Sequence, residues 1–198
     1  MPRTASQLQQ VRDERQSALL DAARKVFIRK GYANTRMADV AAEARASYGL
    51  LYHYFPTKEA VYLALVQHAA RGAVRVTAAA LERAGTPWTQ LEWLTGEMLD
   101  GMQENLELPL LIAQAAAGEE IPPAARAEAT RVSQASQTNV AALIRAGQAA
   151  GQVVAGDPDE LAGTFLALIQ GLGVKALVWP GTSGRFPSTA TVLRLLRP

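Results

Sequence analysis

Apolar residues recur three and four positions apart along nearly the whole of this chain, and glycine or proline closes each such stretch, which is the pattern of successive amphipathic helices. The first reads from about Asp13 to Lys30, with Leu19, Ala22, Ala23, Val26 and Phe27 on one face and Gly31 as its stop. A short helix follows Thr35, which is placed to cap Arg36-Met37-Ala38-Asp39, and Met37, Val40, Ala41 and Ala44 form its inner stripe. A third, Ser47 to Phe55, ends at Pro56. Longer helices are expected from Lys58 to about Arg83, from Pro87 to about Asn105, from Leu106 to Ala117, and from Pro123 to about Ala149. In the last of these Val132, Ser136, Val140, Leu143 and Gly147 fall on one line. Asp157-Pro158 opens a segment, apolar nearly all round, that reaches Trp179, and Pro187 to Leu196 forms a last short helix. The expectation is an all-α chain of about nine helices. Hydrophobic residues at 49% with aromatics at only 6%, rich in Ala and Leu, agree with it.

Several classes of function fall away at this level. The absence of cysteine removes disulfides, thiolate chemistry and the commonest structural zinc sites. The polar Met1 to Arg15 lacks the apolar core of a signal peptide, and the uncharged stretch Leu161 to Val174 is too short to span a bilayer, so a cytoplasmic protein without membrane contact is expected. The two histidines, His53 and His68, stand outside any HExxH, and there is neither a GxSxG nor a phosphate-cradling glycine loop, so neither enzyme activity nor a cofactor or metal is expected. Charge is unevenly spread. Residues 1–60 hold 10 Lys and Arg against 6 Asp and Glu, and the remaining chain 10 against 12. A basic first third suits a polyanion, because each neutralised phosphate releases counterions.

Two short helices joined by a tight turn, about Arg36–Ala44 and Ser47–Tyr54, have the geometry that sets a second helix in a major groove. Leu51 and Phe55, four apart, point inward, which turns Gly49, Leu50, Tyr52 and His53 outward. The order and spacing of Ala22-Ala23, Phe27, Gly31-Tyr32, Thr35, Ala41, Ser47, Gly49, Leu51-Tyr52-His53-Tyr54-Phe55 and Lys58-Glu59 resemble the N-terminal signature of the TetR family of transcriptional regulators. The resemblance covers about residues 13–66; beyond it only the helix pattern is shared. It implies a DNA-binding domain over residues 1–57 and a ligand-binding and dimerisation domain over 58–198. The implied protein is a ligand-responsive regulator, of repressor type, that binds a pseudo-palindromic double-stranded operator as a homodimer.

Carried over position by position, the resemblance implies phosphate contacts at Thr35, Tyr52, His53 and Lys58, with Arg36 also in reach; Ser47 and Gly49 belong to the same surface. Two positions depart from the family pattern. Arg45 stands where glycine is usual, so either it adopts a left-handed conformation at about 1–2 kcal/mol or the turn differs and Arg45 faces DNA. Tyr48 and Leu50 replace small or basic residues of the recognition helix, which favours apolar contact with thymine methyls over hydrogen bonds to bases. These departures are also the hints for the rival reading, a helical ligand-binding or interaction module without specific DNA binding.

In the second half, Gly163, Ala167 and Gly171 lie four apart beside Phe165, Leu168 and Leu172, a helix able to bury one side in its own subunit and another in a partner. Ala84 to Ala125 carries seven acids and no Lys or Arg, mostly opposite the stripe Leu91, Leu94, Met98, Met102. Trp93 falls on the acidic side, a pattern able to hold an organic cation. Trp88, Trp93, Met98, Met102, Phe165 and Trp179 are the candidate lining of a pocket for a small-molecule effector, apolar or cationic. An effector is expected to act by shifting the Lys58–Arg83 helix and so the spacing of the recognition helices.

Overall fold

The first helix begins earlier than its apolar stripe. In the computed structural model, which describes residues 5–178 and 186–198, α1 spans Ala5–Asn34. Its opening turns are polar and held by i,i+4 side-chain bonds, Gln9 to Asp13 at 2.8 Å and Gln10 to Glu14 at 3.1 Å, so no hydrophobic period marks them. The expected stop is present: Gly31, at φ +75°, breaks the helix, and one further turn runs on to Asn34.

α2 (Met37–Glu43) and α3 (Tyr48–Tyr54) follow, then the long α4 (Lys58–Glu82), α5 (Pro87–Glu104), α6 (Glu107–Ala117), α7 (Pro123–Ala149) and α8 (Pro158–Val178). A single turn, α9 (Thr189–Val192), continues as a 3-10 turn over Leu193–Leu196. No strand occurs among the described residues. The helix starts follow side-chain chemistry: Ser47, Thr57, Thr86 and Ser188 each accept an N–H bond from the first turn of α3, α4, α5 and α9.

One N-cap differs from expectation. Thr35 does not cap α2; Arg36 holds that position, and its N–H is bonded by Asp39 Oδ2 at 2.9 Å. The Thr35 hydroxyl turns the other way and donates to Gly31 O at 2.7 Å, closing the α1–α2 corner from inside.

Two apolar cores share the long helices. Val26, Phe27, Val40, Leu51 and Leu65 pack with Leu111, Ile112 and Val132, so α6 and the first half of α7 close over the helix-turn-helix end. Leu91, Leu94, Leu143, Ile144, Phe165, Leu193 and Leu196 form the second, around α5, the second half of α7 and α8. The predicted α7 line is buried throughout: Val132, Ser136, Val140, Leu143 and Gly147. Gly147 is required there, because a Cβ would stand 2.4 Å from Val153 Cγ2. None of the described helices is long and apolar enough to cross a membrane.

Candidate nucleic-acid interface and ligand cavity

The α2–α3 turn is closed by backbone geometry. Ala46 N–H donates to Ala41 O at 3.0 Å and Arg45 N–H to Ala42 O at 3.1 Å, the paired bonds of a Schellman motif. That motif needs a left-handed residue after the C-cap, and Arg45 supplies it at φ +51°, the one non-glycine residue with positive φ among those described. The turn is therefore a Schellman turn with an arginine at the position that favours glycine. Relieving the strain with Arg45→Gly is expected to raise stability by about 0.5–1 kcal/mol after the loss of unfolded-state restriction, read as a higher thermal midpoint. A lower midpoint would mean that contacts of the arginine side chain outweigh the strain.

α3 is amphipathic in the way its sequence predicts. Leu51 is fully buried and Phe55 nearly so, while Tyr48, Gly49, Tyr52 and His53 lie in solvent and Leu50 is half-buried. Tyr48 is 52% exposed and Tyr52 39%; their rings lie 4.7 Å apart and their hydroxyls 3.2 Å. The hydrogen bond to Tyr48 holds the Tyr52 hydroxyl above its usual pKa range. The pair thus presents one broad aromatic surface with two coupled hydroxyls, a relation not drawn from the sequence although i,i+4 spacing signals it. Arg36, Arg45 and Ser47 are exposed around it, with the Ser47 hydroxyl engaged by Leu50 N–H at 3.2 Å.

Two candidate phosphate contacts sit differently. Thr35 is only 1% exposed and its hydroxyl is spent on Gly31, so its side chain is an internal tie rather than a surface donor. Lys58 is half-buried; Nζ donates to the carbonyls of Tyr32 at 3.0 Å and Ala33 at 3.4 Å and lies 4.3 Å from the centre of the Tyr32 ring. It neutralises the carbonyl end of α1. Around it Tyr32 donates to Glu59 at 3.0 Å, and Tyr32 and Phe27 pack on Tyr62, whose burial pushes its hydroxyl up to about 12. Lys30 bonds Asp39 at 2.8 Å, the main cause of that carboxyl's lowered pKa. The orientation of α2 and α3 on α1 and α4 is thereby fixed by ionic and aromatic ties as well as by the core.

Behind this module, α4, α5, α6, α7 and α8 line a partly open cavity of about 680 Å³, within the range of small-molecule sites. Of the six residues proposed for its lining, Met98 and Met102 are there. Phe165 is not: it is completely buried and packs in the second core, since the inward side of α8 meets α7 at that level. Trp88 and Trp93 also lie outside the cavity and pack against the second core. Trp88 Nε1 donates to Glu92 at 2.8 Å, and the Arg197 guanidinium lies over its ring. The cation seat on Trp93 is filled by the protein itself, because the Arg83 guanidinium stands 4.9 Å from the ring centre. Trp179 lies outside the described residues.

The structure adds residues that sequence reasoning passed over. Ala73 and Val76 of α4, Leu108 and Ile112 of α6, and Ser136 and Gln137 of α7 complete the walls. Arg24 of α1, largely buried, donates to Asn105 Oδ1 at 2.9 Å and pairs with Glu107 across the α5–α6 junction. Asn105 and Leu108 line the cavity, so this junction touches both the cavity and the first helix. Arg24 and Asn105 are 81 positions apart, and no local pattern connects them.

A three-helix module with an outward α3, seated on an all-helical body that contains a cavity, is that of a helix-turn-helix protein. Residues 19–65 match the model of the bacterial regulatory proteins of the tetR family. Over these residues the chain is similar to the regulators of that family. It is 37% identical over 101 residues to the transcriptional repressor KstR of Mycolicibacterium smegmatis, an alignment covering 50% of this chain and 47% of that protein. The chain spans about half the length, or less, of the curated relatives it matches. The MbdR regulator of Azoarcus sp. CIB shares the fold, with a TM-score of 0.84 at 23% identity over 92% of this chain and 97% of that one. A transcriptional regulator of Saccharomonospora viridis, solved in complex with choline, superposes with a TM-score of 0.70 at 25% identity, covering 92% and 93% of the two chains.

Proposed function

We propose that the chain is a ligand-responsive transcriptional regulator of repressor type, with a DNA-binding domain over residues 1–57 and a ligand-binding and dimerisation domain over 58–198. As a homodimer it binds a pseudo-palindromic operator, one α3 per half-site about 34–36 Å apart. The observation that carries this reading is α3 itself: its inner face is wholly committed to the core through Leu51 and Phe55, and its outer face, led by Tyr48 and Tyr52, is committed to nothing else among the described residues. Arg36, Arg45 and His53 flank that face as donors to phosphate, Ser47 and Gly49 allow close approach at the start of α3, and Leu50 and Tyr48 offer apolar contact to bases.

Dimerisation is supported by the outer face of α8. Leu168, Gly171 and Val174 are exposed there, whereas Phe165 and Ile169 are buried in the subunit; Gly163 and Ala167 line the cavity. The effector is a small organic molecule held in the cavity, and two routes lead from it to DNA: α4, which supplies cavity wall and then runs to Lys58 beside α1, and the Arg24 pair at the α5–α6 junction. The Saccharomonospora viridis protein holds choline. In this chain the tryptophan best placed for a cation already carries Arg83.

The test is selection of bound genomic fragments by the full chain, followed by gel shift across salt. The expected result is one inverted-repeat motif, bound with an affinity that falls about 10³-fold or more between 50 and 200 mM salt. Binding without sequence preference at low salt would instead make the chain a helical ligand-binding or interaction module.

A further inference from the structure

Ser136 is a buried polar group of the cavity wall that the fold leaves unpaired. It is 7% exposed, and its buried hydroxyl has no hydrogen-bond partner. The neighbouring hydroxyls of α7 bond back one turn, Ser133 to Ala129 O and Thr138 to Gln134 O, both at 3.0 Å, and Gln137 on the same wall donates to Asp159 O. Ser136 makes no such bond to Val132 O. A buried hydroxyl left in this condition costs about 1–3 kcal/mol unless something arrives to pair with it.

The remainder of the lining narrows what can arrive. Its charged members among the described residues are one cation, Arg75, and one anion, Glu97, both exposed. Neither sign of ligand charge is favoured by that arrangement, and burying an ion away from both is costly. None of the described lining residues is aromatic, so they offer no ring face of the kind that recognises quaternary ammonium groups. Met98 and Met102, with Val76, Leu108 and Ile112, supply an adaptable apolar surface.

We propose that the cavity takes an uncharged, largely apolar ligand whose single hydrogen-bonding oxygen pairs with Ser136, in preference to an organic cation or a carboxylate. This rests on the reading of the cavity as the effector site. It is tested by calorimetric titration of the full chain with octan-1-ol, octanoate and octyltrimethylammonium, three probes with one chain and different heads. Two variants accompany the wild type: Ser136→Ala, and Gly101→Trp, which obstructs the cavity from a position where an added Cβ meets nothing within 4 Å.

The expected result is that octan-1-ol binds at least about tenfold more tightly than either ion, a difference of about 1.4 kcal/mol. Ser136→Ala weakens it about three- to tenfold, the worth of one hydrogen bond, and Gly101→Trp abolishes it. Preference for either ion, an alcohol affinity unchanged by Ser136→Ala, or no alcohol binding up to its solubility overturns the proposed ligand class. Binding that survives Gly101→Trp places the ligand elsewhere and overturns the effector-site reading instead.

Discussion

If the chain forms the proposed homodimer, Leu168→Glu together with Val174→Glu is expected to leave it a monomer in sedimentation where the wild type associates, with unchanged helicity. The two side chains are 39% and 44% exposed, on one face of α8 with Gly171 between them, so neither substitution disturbs the subunit's own core. In a twofold interface each replacement occurs twice, and four carboxylates are brought into one apolar seam. Burying unpaired charge costs several kcal/mol per ion, so association should weaken by about 10³-fold or more. Operator affinity should fall with it, because a monomer engages one half-site. A double variant that still sediments as a dimer would move the interface off this face of α8, while lost helicity would show that the residues belong to the subunit's fold.

The helices were legible because their signals are local. Gly31, Pro56, Gly85-Pro87 and Pro122-Pro123 end or begin helices, and the α7 stripe is buried at every position it names. The inward and outward faces of α3 followed from the i,i+4 pair Leu51 and Phe55. Arg45 was legible as a strained position because one residue must take the left-handed conformation there. Thr35 was misplaced by one residue for an equally physical reason: a threonine before an amphipathic stretch reads as an N-cap, but here the corner to Gly31 competes for the same hydroxyl and wins.

The cavity was much less legible. A tryptophan or phenylalanine in an apolar stripe looks alike whether it faces a cavity or a core, and Phe165, Trp88 and Trp93 all proved to pack against the core. The walls are instead made by small and aliphatic residues from five helices, chosen by the space they leave. Ser136 was read as a member of the buried line, correctly, but what distinguishes it is a missing bond, and a missing bond appears only when every neighbour has been placed.

The ion pair between Arg24 and Glu107 is the second place where one substitution should have a large effect. Arg24 is 14% exposed at its side chain and Glu107 30%, and Asn105 accepts from the same guanidinium group. Arg24→Met keeps the apolar stem and removes the charge, leaving a half-buried carboxylate and an amide oxygen without their donor. A loss of about 2–4 kcal/mol is expected, somewhat below the cost for a fully buried pair. Adding Glu107→Leu should recover much of it, so a double-mutant cycle by denaturation should return a coupling above about 1 kcal/mol; additive costs would show the pair to be solvent-screened and of little weight. Asn105 and Leu108 line the cavity on one side of this junction, and Arg24 reaches it from α1 on the other. Under the proposed function, Arg24→Met should therefore leave operator binding largely intact while removing most of its response to an occupant of the cavity, a coupling of about 1–3 kcal/mol in allosteric proteins. A full response in that variant would assign the coupling to α4 alone, through the bonds of Lys58 to the end of α1.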